Sequence, residues 1–336
     1  MQRLKLGRRS FLMAGAFAGA LASTTTRATA PAPKAGSAMR IRLLGTGTPT
    51  PSLKRAGSGY LVEVGERKVL FDFGPGAYHR LLQAEVKPTQ ITDIFFTHLH
   101  YDHWLDYIRL LITRWDQGAG RIPELNVYGP AYIARMTELL VGDNGVFERD
   151  LAARTQLRSS QDVYVARGGT LPRRRPAPVV REVADGDRID FSGFTVSVRT
   201  VLHAQPVLEC FGYRLDAGLG AGGRSFAYSG DAGPCKSMEE LAAECDVLVH
   251  MCHFISGTAL SPEWNERNMG HLELARLGAA AKVRNLVVSH VTEQMDVPGV
   301  RERIIRDMSA IYGGNLFFGE DLMEIPVAGP AAAKLD

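Results

Sequence analysis

The segment from His98 to His103 constrains this chain most, because its H-x-H-x-D-H pattern places four potential metal ligands within six residues. The preceding run, Ile91 to Phe96, is rich in β-branched and aromatic residues and predicts a buried strand. The ligands therefore follow the carboxyl end of a strand, where a rigid sheet edge can hold them in place.

The ligand types indicate which metals this segment suits. Imidazole and carboxylate donors without cysteine favour zinc, with manganese or iron as substitutes. His98 and His100 are two residues apart and lie on one side of an extended chain, so they suit one ion. Asp102 and His103 point elsewhere and suit a second ion.

Three more polar residues stand at the ends of predicted apolar strands. His203 follows one strand, Asp231 follows Tyr228-Ser229-Gly230, and His290 follows Val287-Val288-Ser289. A two-metal site needs about this many further ligands, one of them a bridging carboxylate. These three residues are therefore candidates to complete the site.

Residues 1–30 predict an export signal that lies outside the fold. Arg8-Arg9-Ser10-Phe11-Leu12 follows a basic start and precedes an apolar stretch to Ala22, which resembles a twin-arginine signal. The stretch is shorter than the roughly 20 residues of a membrane span, so we expect no stable membrane anchor. Cleavage after Ala22 or after Ala30 stays open. We expect a periplasmic or secreted protein that uses the twin-arginine export machinery.

The charge balance changes when this segment is set aside. Residues 1–30 hold five basic and no acidic residues, so 34 basic and 36 acidic residues remain, a net charge of −2. The basic character of the whole chain therefore gives no support for nucleic-acid binding.

The rest of the chain predicts one large domain. Residues 31–38 read as a flexible lead-in, 39–326 as the folded domain and 327–336 as a flexible tail. The four cysteines lack C-x-x-C spacing, so we expect buried free thiols, with one disulfide left open. Whether the protein is a homodimer also stays open.

Strand and helix patterns alternate in two β-rich halves, which predicts two sheets packed face to face with helices outside. Residues 144–185 are less regular and contain Arg173-Arg174-Arg175 between prolines. This run predicts a solvated loop, and the alternative is an anion-guiding rim beside the site.

The chain resembles the metallo-β-lactamase superfamily, in the branch of ribonuclease Z and the zinc arylsulfatases and phosphodiesterases. The resemblance covers about Arg40 to Phe318 and rests on several motifs besides H-x-H-x-D-H. These are Leu44-Gly45-Thr46-Gly47-Thr48-Pro49, Phe71-Asp72-Phe73-Gly74-Pro75-Gly76, His203 with Phe211-Gly212-Tyr213-Arg214, Ser229-Gly230-Asp231, and Gly270-His271 through Ser289-His290.

The resemblance implies an α/β fold, an αβ/βα four-layer sandwich of two mixed sheets, with two zinc ions at the sheet edge. One zinc would take His98, His100 and His203. The other would take Asp102, His103 and His290, with Asp231 bridging the two. Metal-activated water would attack an ester substrate. Asp102 would orient this water or accept its proton, and His271 would protonate the leaving group.

Two departures from the family pattern bear on the substrate. His250-Met251-Cys252-His253 lacks the acid that ribonuclease Z usually carries beside the first histidine, and we interpret His253 as structural. About 28 residues separate His203 from Asp231, too few for the arm with which ribonuclease Z grips tRNA. The sequence therefore favours a small phosphate or sulfate ester over nucleic acid. The alternatives are a ribonuclease Z-like endoribonuclease, a lactone or thioester hydrolase, and an iron-dependent redox enzyme.

Overall fold

Two seven-stranded mixed sheets form the centre of the structure, a computed structural model that describes residues 39–218, 223–258 and 260–327. The first sheet runs, from edge to edge, β14 (Glu324–Ile325), β1 (Met39–Gly45), β2 (Gly59–Val64), β3 (Arg67–Phe73), β4 (Asp93–Phe95), β5 (Asn126–Gly129) and β6 (Val179–Glu182). Its first four strands pair antiparallel, and β3 to β6 pair parallel.

The second sheet has the same mixed character. It runs β13 (Asn315–Phe318), β12 (Asn285–Ser289), β11 (Val247–Met251), β10 (Arg224–Tyr228), β9 (Phe211–Ala217), β8 (Phe194–Thr200) and β7 (Arg188–Phe191). Strands β10 to β13 pair parallel, whereas β7 to β10 pair antiparallel.

The central strands are apolar on both faces, because each face is covered. In β3, Val69 and Phe71 point into the core between the sheets, whereas Leu70 points to the outer helices, as the period of two requires. Phe71 contacts Phe95 of its own sheet at 5.3 Å and Phe226 of the other at 5.2 Å between ring centroids. Aromatic side chains from both sheets thus fill the middle of the sandwich.

Helices cover the outer faces of both sheets. Their bounds are α1 (Ala77–Gln83), α2 (Tyr101–Trp104), α3 (Tyr107–Gly118), α4 (Ile133–Val141), α5 (Glu148–Gln156), α6 (Arg158–Ala166), α7 (Lys236–Ala242), α8 (Pro262–Arg267), α9 (His271–Ala280) and α10 (Val300–Ser309). Short 3₁₀ helices occur at Pro88–Gln90 and Glu293–Asp296.

Each outer core is built by one set of helices. Helices α1, α3 and α4 pack on the first sheet, and α7, α9 and α10 pack on the second. The layers run helix, sheet, sheet, helix, which confirms the predicted αβ/βα sandwich. Within the described ranges, none of the helices combines the length and apolarity needed to cross a bilayer.

Residues 144–185 are more regular than their sequence indicates, since they contain α5, α6 and β6. The prediction of a solvated loop is wrong for Arg173, which is buried, donates to Asp116 Oδ1 at 2.7 Å and lies 4.0 Å over the ring of Trp115. Arg174 is exposed, and Arg175 pairs with Asp143. All four cysteines are free thiols, and three are buried.

Candidate metal centre

The predicted ligands meet at one edge of the sandwich because each follows the carboxyl end of a strand. Strand β4 leads into the H-x-H-x-D-H loop, and β8, β10 and β12 lead to His203, Asp231 and His290. Strands β8, β10 and β12 run in the same direction within the second sheet, so their carboxyl ends lie together.

The structure brings His98, His100, His203 and Asp231 into one group, whose candidate ligand atoms lie within 4.8 Å of one another. His98 Nε2 lies 2.9 Å from His100 Nδ1, and His203 Nε2 lies 3.4 Å from the same nitrogen. Asp231 Oδ2 lies 3.6 Å from His203 Nε2. Three imidazoles and a carboxylate therefore converge on a single point.

A second group, within the same limit, consists of Asp102, His103 and His290. Asp102 Oδ2 lies 3.3 Å from His290 Nε2 and 3.4 Å from His103 Nε2. The Asp231 carboxylate lies between the two groups, with Oδ2 at 3.3 Å from His290 Nε2 and Oδ1 at 3.3 Å from His103 Nε2. This is the arrangement that a carboxylate bridging two ions requires.

The polar atoms that face each other here fit a divalent metal. Asp102 Oδ1, His103 Nε2 and Asp231 Oδ1 are buried, and the described residues give them no hydrogen-bond partner. Buried polar atoms without a partner are costly, and a bound cation would satisfy all three. The nitrogen and carboxylate donor set is the one that zinc uses in hydrolytic sites.

The charges of the cluster also fit a cation. Burial favours the neutral form of Asp231, yet the imidazoles of His290, His103 and His98 hold its pKa well below the usual range. Burial likewise opposes charge on His103, but the carboxylates of Asp231, Asp72 and Asp102 raise its pKa well above the ordinary value, so these carboxylates favour positive charge at the cluster. The Asp231 carboxylate is therefore ionised, which is the form that binds metal.

Asp72 is a residue of this site that the sequence analysis missed. It is fully buried and accepts four hydrogen bonds, from the Thr97 N–H and hydroxyl (2.8 Å each), His103 Nδ1 (2.7 Å) and the Tyr228 hydroxyl (2.8 Å). By accepting the Nδ1 proton of His103 it directs Nε2 into the cluster. The available signal was a carboxylate inside the apolar run Val69–Phe73, two residues before Gly74, which follows the strand.

Other ligands are oriented by their second ring nitrogen in the same way. His98 Nδ1 lies 3.0 Å from Thr97 Oγ1, whose proton goes to Asp72, so His98 Nδ1 is the donor. His203 Nδ1 donates to the Arg267 carbonyl at 3.1 Å. Both bonds leave Nε2 free to face the cluster.

A cavity of about 340 Å³ opens onto the cluster. His100, His203, Asp231 and His290 lie on its metal side, and Trp264 and Arg267 of the α8 segment lie on its wall. A second cavity, of about 430 Å³, contains none of the predicted site residues. Its walls carry paired charges such as Arg55 with Asp296 and Arg80 with Asp321.

The structure does not bring His271 into this cavity. Its Nδ1 accepts the Ser256 N–H at 2.9 Å, and its Nε2 lies 3.8 Å from Asp307 Oδ2. These contacts give no support to His271 as a proton donor, a role that stays a prediction. Besides the candidate metal ligands, His253 lines the cavity, and its Nδ1 lies 3.3 Å from His290 Nδ1.

Comparison with known proteins gives one consistent family. Residues 67–291 match the model of a β-lactamase superfamily domain. Ribonuclease Z of Mycobacterium avium is 29% identical over 282 residues, which is 82% of this chain and 94% of the relative. Ribonuclease Z of Methanosarcina acetivorans is 27% identical over 294 residues, 77% of this chain and 88% of the relative.

A solved structure agrees on the fold. The metallo-β-lactamase fold protein YhfI of Bacillus subtilis superposes with a TM-score of 0.64 at 17% identity, covering 85% of this chain and 98% of its own. At that identity the likeness shows the fold and no more.

The relatives contradict the predicted location. They are ribonucleases Z, which are cytoplasmic enzymes, so the prediction of a periplasmic or secreted protein is wrong. That prediction rested on a short composition pattern, whereas the alignment covers most of the chain. The predicted signal (1–30), the lead-in (31–38) and residues 328–336 of the predicted tail lie outside the described residues.

Three observations agree on identity. The family match covers more than half of the chain, the fold is the four-layer sandwich, and histidines and aspartates that could hold metal gather at its edge. The chain belongs to the metallo-β-lactamase superfamily and is a metal-dependent hydrolase that acts on ester bonds.

Proposed function

We propose that this chain is a phosphodiesterase of the ribonuclease Z type, an endoribonuclease that uses two zinc ions. The observation that carries the proposal is the cluster of seven histidine and aspartate side chains, in two groups joined by Asp231, at the floor of an open cavity. A zinc pair supplies, when bound, a water of lowered pKa and positive charge against the phosphoryl oxygens. The name shared by the relatives favours RNA as the source of the phosphodiester.

Asp102 is the residue we propose as proton acceptor. Burial raises the pKa of Asp102, but the effect of His103 and His290 is larger and opposite. The net pKa is below the ordinary value, so the carboxylate is ionised. Its Oδ1 has no hydrogen-bond partner among the described residues, and its Oδ2 lies 3.3 Å from His290 Nε2. With Oδ2 facing the metal beside His290, Oδ1 would remain to orient water or accept its proton.

His290 is held in place from the cavity side. Its Nε2 faces the carboxylates of Asp102 and Asp231, so the proton on its Nδ1 can be donated to His253 Nδ1 at 3.3 Å. We therefore assign His253 a positioning role, which keeps Nε2 of His290 directed into the cluster.

A second candidate substrate is a small phosphate or sulfate ester. The specific observation is that only about 28 residues separate His203 from Asp231 and that 12 of them form β9 and β10, which leaves too little chain for a tRNA-gripping arm.

Substrate panels on the zinc-loaded protein separate these candidates. A labelled tRNA precursor tests the first, and bis-p-nitrophenyl phosphate and p-nitrophenyl sulfate test the second. Cleavage of the RNA at one site, lost in Asp231→Ala, is the expected result. Turnover of the small esters alone would establish the second candidate instead. No turnover of any of them would contradict both.

A further inference from the structure

We propose that Trp264 is a stacking platform for a planar ring attached to the scissile ester, and so determines specificity. This inference rests on the proposed function, because it concerns the same cavity. The ring would be a nucleobase or an aryl group, since both present the same flat aromatic face.

The first observation is the position of the indole. Trp264 lines the cavity that also contains His203 and His290. Its ring contacts Phe254 at 4.8 Å and His253 at 5.7 Å between centroids, tilted by 57° and 58°. Trp264 is half-buried, so it keeps accessible surface beside the cavity.

The second observation is that α8 is fastened to a proposed metal ligand. Arg267 Nη1 donates to the carbonyls of His203 at 3.0 Å and Gln205 at 2.9 Å, and the Arg267 carbonyl accepts from His203 Nδ1 at 3.1 Å. The Ser261 hydroxyl caps the helix by accepting the Trp264 N–H at 3.1 Å. The indole therefore keeps a fixed place relative to the ligand cluster.

The third observation is the chemistry of the walls. Pro49, Ala204 and Trp264 contribute apolar surface to the cavity that also contains the histidines and Asp231. The Tyr101 hydroxyl donates to the Pro49 carbonyl at 2.9 Å, and this hydrogen bond holds Pro49 in place. A phosphoryl group held at the cluster would place a neighbouring flat ring against apolar surface, where stacking is favourable.

The test compares three substrates of the zinc-loaded protein. These are a dinucleotide, the same compound with both bases removed, and methyl p-nitrophenyl phosphate, whose ring is an aryl group. Trp264→Ala should lower kcat/KM about tenfold for substrates with a ring, mainly through KM, and should leave the abasic compound unchanged. Trp264→Phe keeps a ring and should retain most of the activity.

Each outcome decides the matter. A selective loss for the dinucleotide identifies the nucleobase as the ring, and a selective loss for the aryl ester identifies the aryl group. An equal loss on all three substrates, or no loss on any, overturns the proposal.

A binding measurement keeps the inference separate from the proposed function. Thymidine 5′-monophosphate should quench the tryptophan fluorescence of the zinc-loaded protein, whereas inorganic phosphate should not. The quenching should persist in Trp115→Phe, whose indole lies under Arg173, and disappear in Trp264→Phe. Quenching without any turnover supports the platform and contradicts the phosphodiesterase. Quenching that survives in Trp264→Phe overturns the platform.

Discussion

Replacing Asp72 by Asn tests whether this buried carboxylate orients the metal ligands. Its Oδ2 accepts three hydrogen bonds, from Thr97, His103 and Tyr228, and its Oδ1 accepts the Thr97 N–H. The backbone φ of Asp72 is 55°, a left-handed conformation that Asn tolerates well. The substitution therefore changes the side chain's acceptors and charge without straining the chain.

The size of the effect follows from these four bonds. An amide offers one accepting oxygen, so its NH₂ group must face at least one of the donors that now point at the carboxylate. Each buried donor left without a partner costs about 1–3 kcal/mol of unfolding free energy. Loss of a group that orients a ligand lowers metal affinity by about 10–100-fold. We expect both effects, because His103 loses a charged acceptor.

The matched control is Asp93→Asn. Asp93 is also fully buried and accepts from Arg67 and Asn126, but it lies at the start of β4, at the far end of the strand from the ligands. Denaturant unfolding should show a lower unfolding free energy for both variants. Competition with a chelator should show weaker zinc binding only for Asp72→Asn. Native zinc affinity in a destabilised Asp72→Asn protein would refute our account of His103.

Three further results are expected. Asp231→Ala should abolish hydrolysis and reduce bound metal, because the carboxylate joins both ligand groups. Replacing the exposed His79 by Ala should change neither property. Metal analysis and kinetics check this, and normal turnover by Asp231→Ala would contradict the site. Chelation should lower the thermal midpoint and zinc should restore it, since binding to the folded state stabilises it; an unchanged midpoint would count against a metal site. Hydrogen bonds from Arg40 and Arg42 lower the pKa of Glu324 from 4.5 to about 2, so its stabilisation is present above pH 4.5 and is lost as the pH falls toward 2. Glu324→Gln should therefore flatten the acid limb of the metal-free protein's unfolding free energy, and an unaltered limb would show that the pairing contributes nothing.

The fold and the ligand cluster could be predicted because their signals are local. The central strands are buried on both faces and read as short apolar runs, so the ends of β4, β10 and β12 were visible in the sequence. Polar residues directly after such ends must meet at one edge when the strands are parallel. The structure divides the candidate ligands as the family resemblance implies, with Asp231, the implied bridge, counted in the first group.

The rest depends on contacts between distant segments. Asp72 was part of a motif with no role assigned to it, and its importance appears only when Thr97, His103 and Tyr228 surround it. Arg173 looked solvated because its partner, Asp116, is 57 residues away. His271 follows a recognisable motif, but its direction is set by Ser256 and Asp307, which sequence spacing does not relate to it.

The residues that carry the chemistry and the residues that we propose to select the substrate lie in different parts of the structure. The candidate ligands follow strands whose side chains fill the cores, so a change that moves them also disturbs packing. Helix α8 buries none of its residues and is attached chiefly through Arg267 and its Ser261 cap. Changing Trp264 should therefore alter the cavity wall at little cost to the core. The family match and the relatives thus show a metal-dependent hydrolase of ester bonds, whereas we propose that Trp264, on the α8 wall of the cavity, selects the compound that is hydrolysed.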